Sequence, residues 1–312
     1  MVLTPVYCIH PAKIWAPTAL AMLVANIEKT LPQHYEVVYP FAHDIESLRA
    51  QYRKSGPGVV LCSNYMWTRE ANLEIGKTAK AEMPGHILIH GGPDTPAYPD
   101  SCEAYLKTHR EVDFTIRGEG ESTLVDLLET LRNSSSALKK ESLSAVAGIC
   151  FLEGETLIQT PDRERAKDIN LYPSPFLAGV FEQLNWQEWN AITLETNRGC
   201  PYGCSFCDWG SATLQKMRRF DMDRLKKEIL WVARHNIPKL WIADSNFGIF
   251  KRDLEITRYI CEVKKEYGYP KLLITNYAKN TKAHLIEIIE MLVDNGLVGT
   301  GIVSLQTRDQ AT

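Results

Sequence analysis

The sequence predicts an α/β chain in two parts: a doubly wound parallel-sheet domain, followed by a partial strand-helix barrel. Three observations predict it. Short apolar runs alternate with amphipathic helical stretches, the pattern of parallel strands with crossover helices. The alternation breaks at the polar, turn-rich Asn133-Ser-Ser-Ser-Ala-Leu-Lys-Lys140 and resumes from Ala191. At 312 residues the chain exceeds the usual size of one hydrophobic core, and 45% hydrophobic residues suffice for two.

In order, candidate strands cover Val6–Ile9, Glu36–Tyr39, Gly58–Cys62, His86–His90 and Phe114–Ile116. Helical periodicity lies between them at Ala19–Thr30, Arg69–Glu82 and Ser101–His109, and a last helix, Ser122–Arg132, follows Gly118-Glu-Gly-Glu121. Residues 1–140 therefore form the first domain. In residues 141–190, two apolar runs flank Glu153-Gly154-Glu155 and predict a small hairpin. The three prolines of PDRERAKDINLYPSPF, from Pro161, then suit an extended linker. Residues 191–312 hold the second series: the strand AITLET, a helix over Asp221–His235, the strand KLWIAD, a helix over Asp253–Tyr267, the strand KLLITN, a helix from Lys282 to Asn295 and the strand GTGIVSLQ. No helix closes this series after its fourth strand, so a truncated barrel is expected.

A formal net charge of −3 with both signs interspersed offers no stripe for a phosphate backbone, so nucleic acid is not the expected partner. No apolar run is long enough for a membrane span, and MVLTPVYCIHP lacks the basic flank and apolar stretch of a secretory signal. The expected compartment is the cytoplasm. Eight cysteines are too dilute for a disulfide scaffold, and three fall within Cys200–Cys207, which points to metal ligation.

That array, Cys200-Pro-Tyr-Gly-Cys204-Ser-Phe-Cys207, sits on a loop directly after a strand. Three thiolates on one loop can hold three irons of a cubane and leave the fourth open to chemistry. Gly199 and Gly203 let the backbone wrap closely, and Pro201 stiffens the turn. A structural zinc site would close with four ligands, commonly in two pairs, and a ferredoxin-type carrier would want a fourth cysteine nearby. Cys8, Cys62, Cys150 and Cys261 instead lie in strand or helix patterns, as small buried residues do.

CxxxCxxC after the first strand of a strand-helix series resembles the signature of the radical S-adenosylmethionine (SAM) superfamily. ETNRGCPYGCSFCDWG, HGGPDTPAYPD followed by DFTIRGEGES, and the later SLQT resemble the members with an N-terminal cobalamin-binding domain of the Rossmann-like type. The likeness covers nearly the whole chain. It implies a 4Fe-4S cluster whose open iron chelates SAM, reductive cleavage to a 5'-deoxyadenosyl radical, and cobalamin as a second cofactor. It also implies a small-molecule or peptide substrate and a low-potential electron donor such as flavodoxin or ferredoxin.

Ligands of parallel-strand barrels collect at the strands' C-terminal ends. This picks out Asp244-Ser245-Asn246, Asn276, and Ser304 with Gln306; by position in the family they contact SAM, and Phe206 takes the place of an aromatic residue near the adenine. Each polar residue also suits a cap or turn, and Phe206 equally suits ordinary packing. Arg218 and Arg219, shortly after the cluster loop, read as a solvated basic turn, with approach to a carboxylate as the alternative. In the first domain, Gly91-Gly92 after a strand and Ser63-Asn64 on the same rim are the cobalamin candidates, with a plain tight turn as the alternative. One departure stands out. Where relatives that ligate cobalt through histidine carry Asp-x-His-x-x-Gly, this chain has Cys8-Ile-His10-Pro-Ala-Lys13. Cobalamin without a histidine on cobalt, or a domain that has lost the cofactor, is the expectation.

Three functions follow: a cobalamin-dependent radical SAM methyltransferase; a cobalamin-independent radical SAM enzyme of methylthiolation, cyclisation or rearrangement with a vestigial first domain; and a non-catalytic iron-sulfur module.

Overall fold

Parallel strands covered on both faces read as unbroken apolar runs, and the first strand, β1 (Thr4–Ile9), is buried from Pro5 to its end. The computed structural model describes residues 3–133, 140–204, 207, 216–279 and 283–298. The chain divides into two units. The first comprises Met1–Lys13, Ala19–Ala166 and Tyr172–Asn185, and the second Ile14–Thr18, Lys167–Leu171 and Trp186–Thr312.

After β1, the first unit runs α1 (Thr18–Thr30), β2 (Tyr35–Val37), α2 (Ile45–Ser55), β3 (Val59–Ser63), α3 (Arg69–Glu82), β4 (Ile87–Gly91), α4 (Pro99–Thr108), β5 (Phe114–Ile116), α5 (Gly120–Asn133), α6 (Lys140–Ser144), β6 (Ile149–Glu153) and β7 (Thr156–Gln159). The sheet order is β2-β1-β3-β4-β5-β6-β7. Pairing is parallel from β2 through β5 and antiparallel beyond. Tyr7, Ile9, Leu48, Val60, Leu88 and Leu106 share one buried cluster. α2 escapes the hydrophobic pattern because Leu48 is its sole buried residue; its start is fixed by a capping box between Asp44 and Ser47.

The hairpin is there, but it is not a separate element between domains. β6 pairs with β5 through Thr115↔Cys150 and Ile116↔Ile149, and with β7 it lengthens the sheet from the expected five strands to seven. The proline-rich stretch lacks helix, yet it is pinned: Arg117 donates to the Thr160 carbonyl, Arg163 to Thr123 Oγ1, and the Ser122 and Tyr172 hydroxyls meet at 2.9 Å. Apolar side chains at Tyr172, Phe176 and Phe181 are buried, which is what holds an irregular segment down.

The second unit continues with β8 (Ala191–Leu194), β9 (Asn197–Arg198), β10 (Arg218–Arg219), α7 (Met222–Arg234), β11 (Lys239–Phe247), α8 (Arg252–Tyr267), β12 (Leu272–Tyr277) and α9 (Ala283–Asp294). Three parallel strands lie in the order β12-β11-β8, and β9 pairs antiparallel with β10. β11 is nine residues long, and its register with β12 shifts between Ile242 and Phe247, so its last residues leave regular pairing. Near the N-terminus, Trp15 packs edge-on against Trp241 and Ala16 N–H donates to the Ala191 carbonyl. The fourth strand expected over GTGIVSLQ lies outside the described residues. Among the described residues no helix is long and apolar enough to cross a membrane.

Because Ile149 is fully buried on β6, Ile149→Ala is expected to lower the unfolding free energy by about 2–5 kcal/mol. Urea unfolding checks this; an unchanged midpoint would mean that the hairpin is an independent appendage.

Candidate functional site

The cysteine loop leaves β8 through a corner at Thr196-Asn197, and that corner hangs on one buried carboxylate. Asp244 on β11, 1% exposed, accepts from Thr196 N–H at 2.8 Å, Asn197 N–H at 3.2 Å and Asn197 Nδ2 at 2.7 Å, and from the Thr196 hydroxyl. Burial pushes its carboxyl up to about 7 against these donors, which pull the other way. Arg252, at the start of α8, donates to the carbonyls of Thr196 at 2.8 Å and Phe220 at 2.7 Å, and Phe220 N–H donates to the Thr196 carbonyl. Together with the β9-β10 pairing, these bonds close the base of the loop between residues 200 and 217.

The two residues after Asp244 grip the loop itself. Ser245 Oγ donates to the Gly199 carbonyl at 2.9 Å, and Asn246 Nδ2 donates to Cys200 Sγ at 3.3 Å and to Ser245 Oγ at 3.0 Å. Asn246 is 2% exposed, and its Oδ1 is a buried acceptor without a hydrogen-bond partner among the described residues. Gly199 has φ +110°, which a side chain would strain, so glycine is required where the chain turns into the loop. Cys200 is buried and Cys204 and Cys207 half-buried, with Cys207 N–H donating to the Cys204 carbonyl. Cys8, Cys62, Cys102, Cys150 and Cys261 are all buried elsewhere. Among the described residues, no three His, Cys, Asp or Glu side chains form a group that would hold a single ion. A cubane asks less, since each thiolate binds a different iron.

Of the residues read as SAM contacts, Asn246 stands beside the loop with an acceptor to offer. Asp244 does not: its oxygens are taken by the corner, because a buried carboxylate needs that many donors to be tolerated. Asn276 is half-buried on β12, next to the Phe247↔Tyr277 pairing. Phe206, Ser304 and Gln306 lie outside the described residues. Arg218 and Arg219 are not a turn, and of the two Arg219 alone is exposed. They form β10, with Arg218 buried and the Arg219 guanidinium 5.2 Å from the centre of the Phe250 ring.

In the first unit the rim residues come together, with altered roles. Ser63 and Gly91 pair across β3 and β4, Asn64 N–H donates to the Gly91 carbonyl, and Asp94 N–H to the Asn64 carbonyl. Asn64 was expected to face a ligand, but its side chain is fully buried. Its Nδ2 reaches His90 Nδ1 at 3.1 Å and Thr95 Oγ1 at 3.0 Å, while its Oδ1 accepts from Asn72 at 2.8 Å. Burial drives His90 down to about 3, which keeps the imidazole neutral, and its Nδ1 lies 2.8 Å from the Tyr105 hydroxyl. Gly92 has φ +94°, and a Cβ there would sit 2.7 Å from the Asn64 carbonyl oxygen. Contact with the neighbouring loop is enough to demand that glycine. The loop after β3 instead exposes Met66 at 80% and Trp67 at 61%, with Tyr65 stacked on Trp67, and Tyr98 after β4 is 64% exposed. Sequence reasoning missed this surface; Tyr65-Met66-Trp67 in a loop, outside any apolar periodicity, was the available signal.

Gly92→Ala is expected to destabilise the first unit by more than about 1 kcal/mol, because it combines a positive φ with a backbone clash. Gly91→Ala, whose Cβ would meet nothing nearer than 3.7 Å, should be tolerated; thermal unfolding of the pair compares them. A second expectation concerns Asp244. Between its ordinary pKa of about 3.9 and its folded value, the folded carboxyl keeps a proton that the unfolded one has released, so this group lowers stability as pH rises through that window. Asp244→Asn should flatten this part of the profile, read as the change in unfolding midpoint between about pH 4 and about pH 7.5 in both proteins.

No family model matches the chain. It is 35% identical over 259 residues to the cobalamin-dependent radical SAM methyltransferase TokK of Streptomyces tokunonensis, an alignment spanning 81% of this chain and 37% of that protein. The same identity and coverage hold for the 2-(S-pantetheinyl)-carbapenam-3-carboxylate methyltransferase of Streptantibioticus cattleyicolor. The chain thus spans little more than a third of the length of these relatives. Among solved structures, the cobalamin-dependent SAM radical enzyme OxsB, with aqua-cobalamin and SAM bound, matches with a TM-score of 0.67 over 95% of this chain and 43% of that one, at 19% identity. The radical SAM methyltransferase TsrM of Kitasatospora setae, with cobalamin and a [4Fe-4S] cluster bound, matches with a TM-score of 0.64 over 95% of this chain and 57% of that one, at 15% identity. The cysteine loop, the α/β architecture of both units and these relatives place the chain in the radical SAM superfamily, in the group with an N-terminal cobalamin-binding domain.

Proposed function

We propose that Cys200, Cys204 and Cys207 hold a 4Fe-4S cluster for reductive cleavage of SAM, and that the protein uses cobalamin to methylate an unactivated centre of a small-molecule substrate. The observation that carries this reading is the grip of β11 on the loop. Ser245 and Asn246 fix Gly199 and Cys200 from a strand end, where parallel-strand barrels gather their ligands. When bound, the cluster supplies an electron to the sulfonium and cobalamin supplies a methyl carrier.

The chain's own residues then divide the work. Asp244 and Arg252 hold the corner and close the loop's base, keeping three thiols on one short segment. The unpartnered Asn246 Oδ1 suits the methionyl amine of SAM, a donor that would end its isolation. Asn276, with Phe206, Ser304 and Gln306, completes the proposed SAM contacts. On the first unit, Ser63, Gly91 and Gly92 form the rim that receives cobalamin, Asn64 braces it from within, and Trp67, Met66 and Tyr98 offer an apolar surface for a flat macrocycle. A low-potential donor of the flavodoxin or ferredoxin class would reduce the cluster. The names of the 35%-identical relatives support methyl transfer over the other radical SAM reactions.

Anaerobic reconstitution with iron, sulfide and hydroxocobalamin tests this. We expect about four irons per chain, retained cobalamin, and 5'-deoxyadenosine that disappears in Cys204→Ala. SAM cleavage without cobalamin would replace methyl transfer by cobalamin-independent chemistry, and uptake of zinc in place of iron would overturn the reading.

A further inference from the structure

Cys200 is the driest of the three loop cysteines, at 8% exposure, and the thiol to which the Asn246 side chain donates. We propose that Asn246 tunes the cluster: its amide N–H, aimed at the Cys200 sulfur, holds the cluster's reduction potential up. The proposal rests on the reading of Cys200 as a cluster ligand. It goes further by giving Asn246 a role toward sulfur that strand-end position alone does not imply.

The orientation of the amide follows from the network. Ser245 spends its hydroxyl proton on the Gly199 carbonyl, so its oxygen needs a donor, which Asn246 Nδ2 provides at 3.0 Å. A reversed amide would place Oδ1 against both the Ser245 oxygen and the sulfur, two electron-rich atoms. The second Nδ2 proton is thereby directed to Cys200 Sγ, at 3.3 Å.

A donor to a cluster sulfur draws charge from it and stabilises the reduced form more than the oxidised one. At a site this buried, water cannot stand in for the donor, and low local polarity strengthens the bond. The bonds of the Asp244 and Ser245 side chains to the backbone of Thr196, Asn197 and Gly199 fix the loop without this amide. Removing it should therefore alter the electronics more than the assembly.

Redox titration of the reconstituted chain, monitored by electron paramagnetic resonance without SAM, tests the proposal with Asn246→Leu and Asn246→Val. Both replace the donor with an apolar side chain, Leu with the same branching as asparagine and Val one heavy atom shorter. We expect wild-type iron content and a more negative midpoint. The reduced-to-oxidised ratio at fixed donor potential should fall roughly tenfold, about 59 mV for one electron, the scale of a charge-assisted hydrogen bond. A variant with full iron and the wild-type midpoint would overturn the proposal. So would loss of iron from both variants, which would make Asn246 a holder of the loop; if one variant retains iron, its midpoint decides. Failure of the wild-type chain to take up iron would instead overturn the assignment of the cysteines.

Discussion

Asp244 has almost no contact with solvent and takes donors from two consecutive residues, Thr196 and Asn197. A carboxylate in that position is costly unless its lone pairs are met. The corner between β8 and the cysteine loop meets them, and in doing so it is fixed. Ser245 and Asn246, next along β11, then lie against Gly199 and Cys200. Arg252 adds its hold on the Thr196 and Phe220 carbonyls. The placement of the first cysteine thus descends from the cost of burying one carboxyl group.

The rim of the first unit follows the same logic with neutral groups. Asn64, fully buried, is surrounded by His90, Thr95, Tyr105 and Asn72, and backbone bonds tie the loops after β3 and β4 together. Gly92 is needed because that union brings Asn64 too close for a side chain. In both units, polar side chains at strand ends act inward to shape a loop.

Much of this architecture was legible in the sequence. The first strand-helix series, the first three strands of the second and the cysteine loop follow from apolar periodicity and spacing. What escaped depends on long-range partners. α2 buries only Leu48, so its pattern is too polar to register. The hairpin's own residues do not say that Ile149 and Cys150 dock on β5, and nothing in residues 14–18 announces that Trp15 packs on Trp241. Ser63 and Asn64 read as lying on the rim beside Gly91 and Gly92, and strand-end position picked out Asp244, Ser245 and Asn246. It could not tell an asparagine that faces a ligand from one that is sealed beneath the rim, because that distinction is made by neighbours 26 to 41 positions away.

The central claim is that this loop holds a cubane with one iron free of protein. Mössbauer spectroscopy of the anaerobically iron-57-reconstituted protein, with and without SAM, tests it most directly. The account predicts that SAM changes the signal of a single iron, about a quarter of the cluster's intensity, and leaves the other three as they were. A spectrum indifferent to SAM, with four equivalent irons, would contradict it.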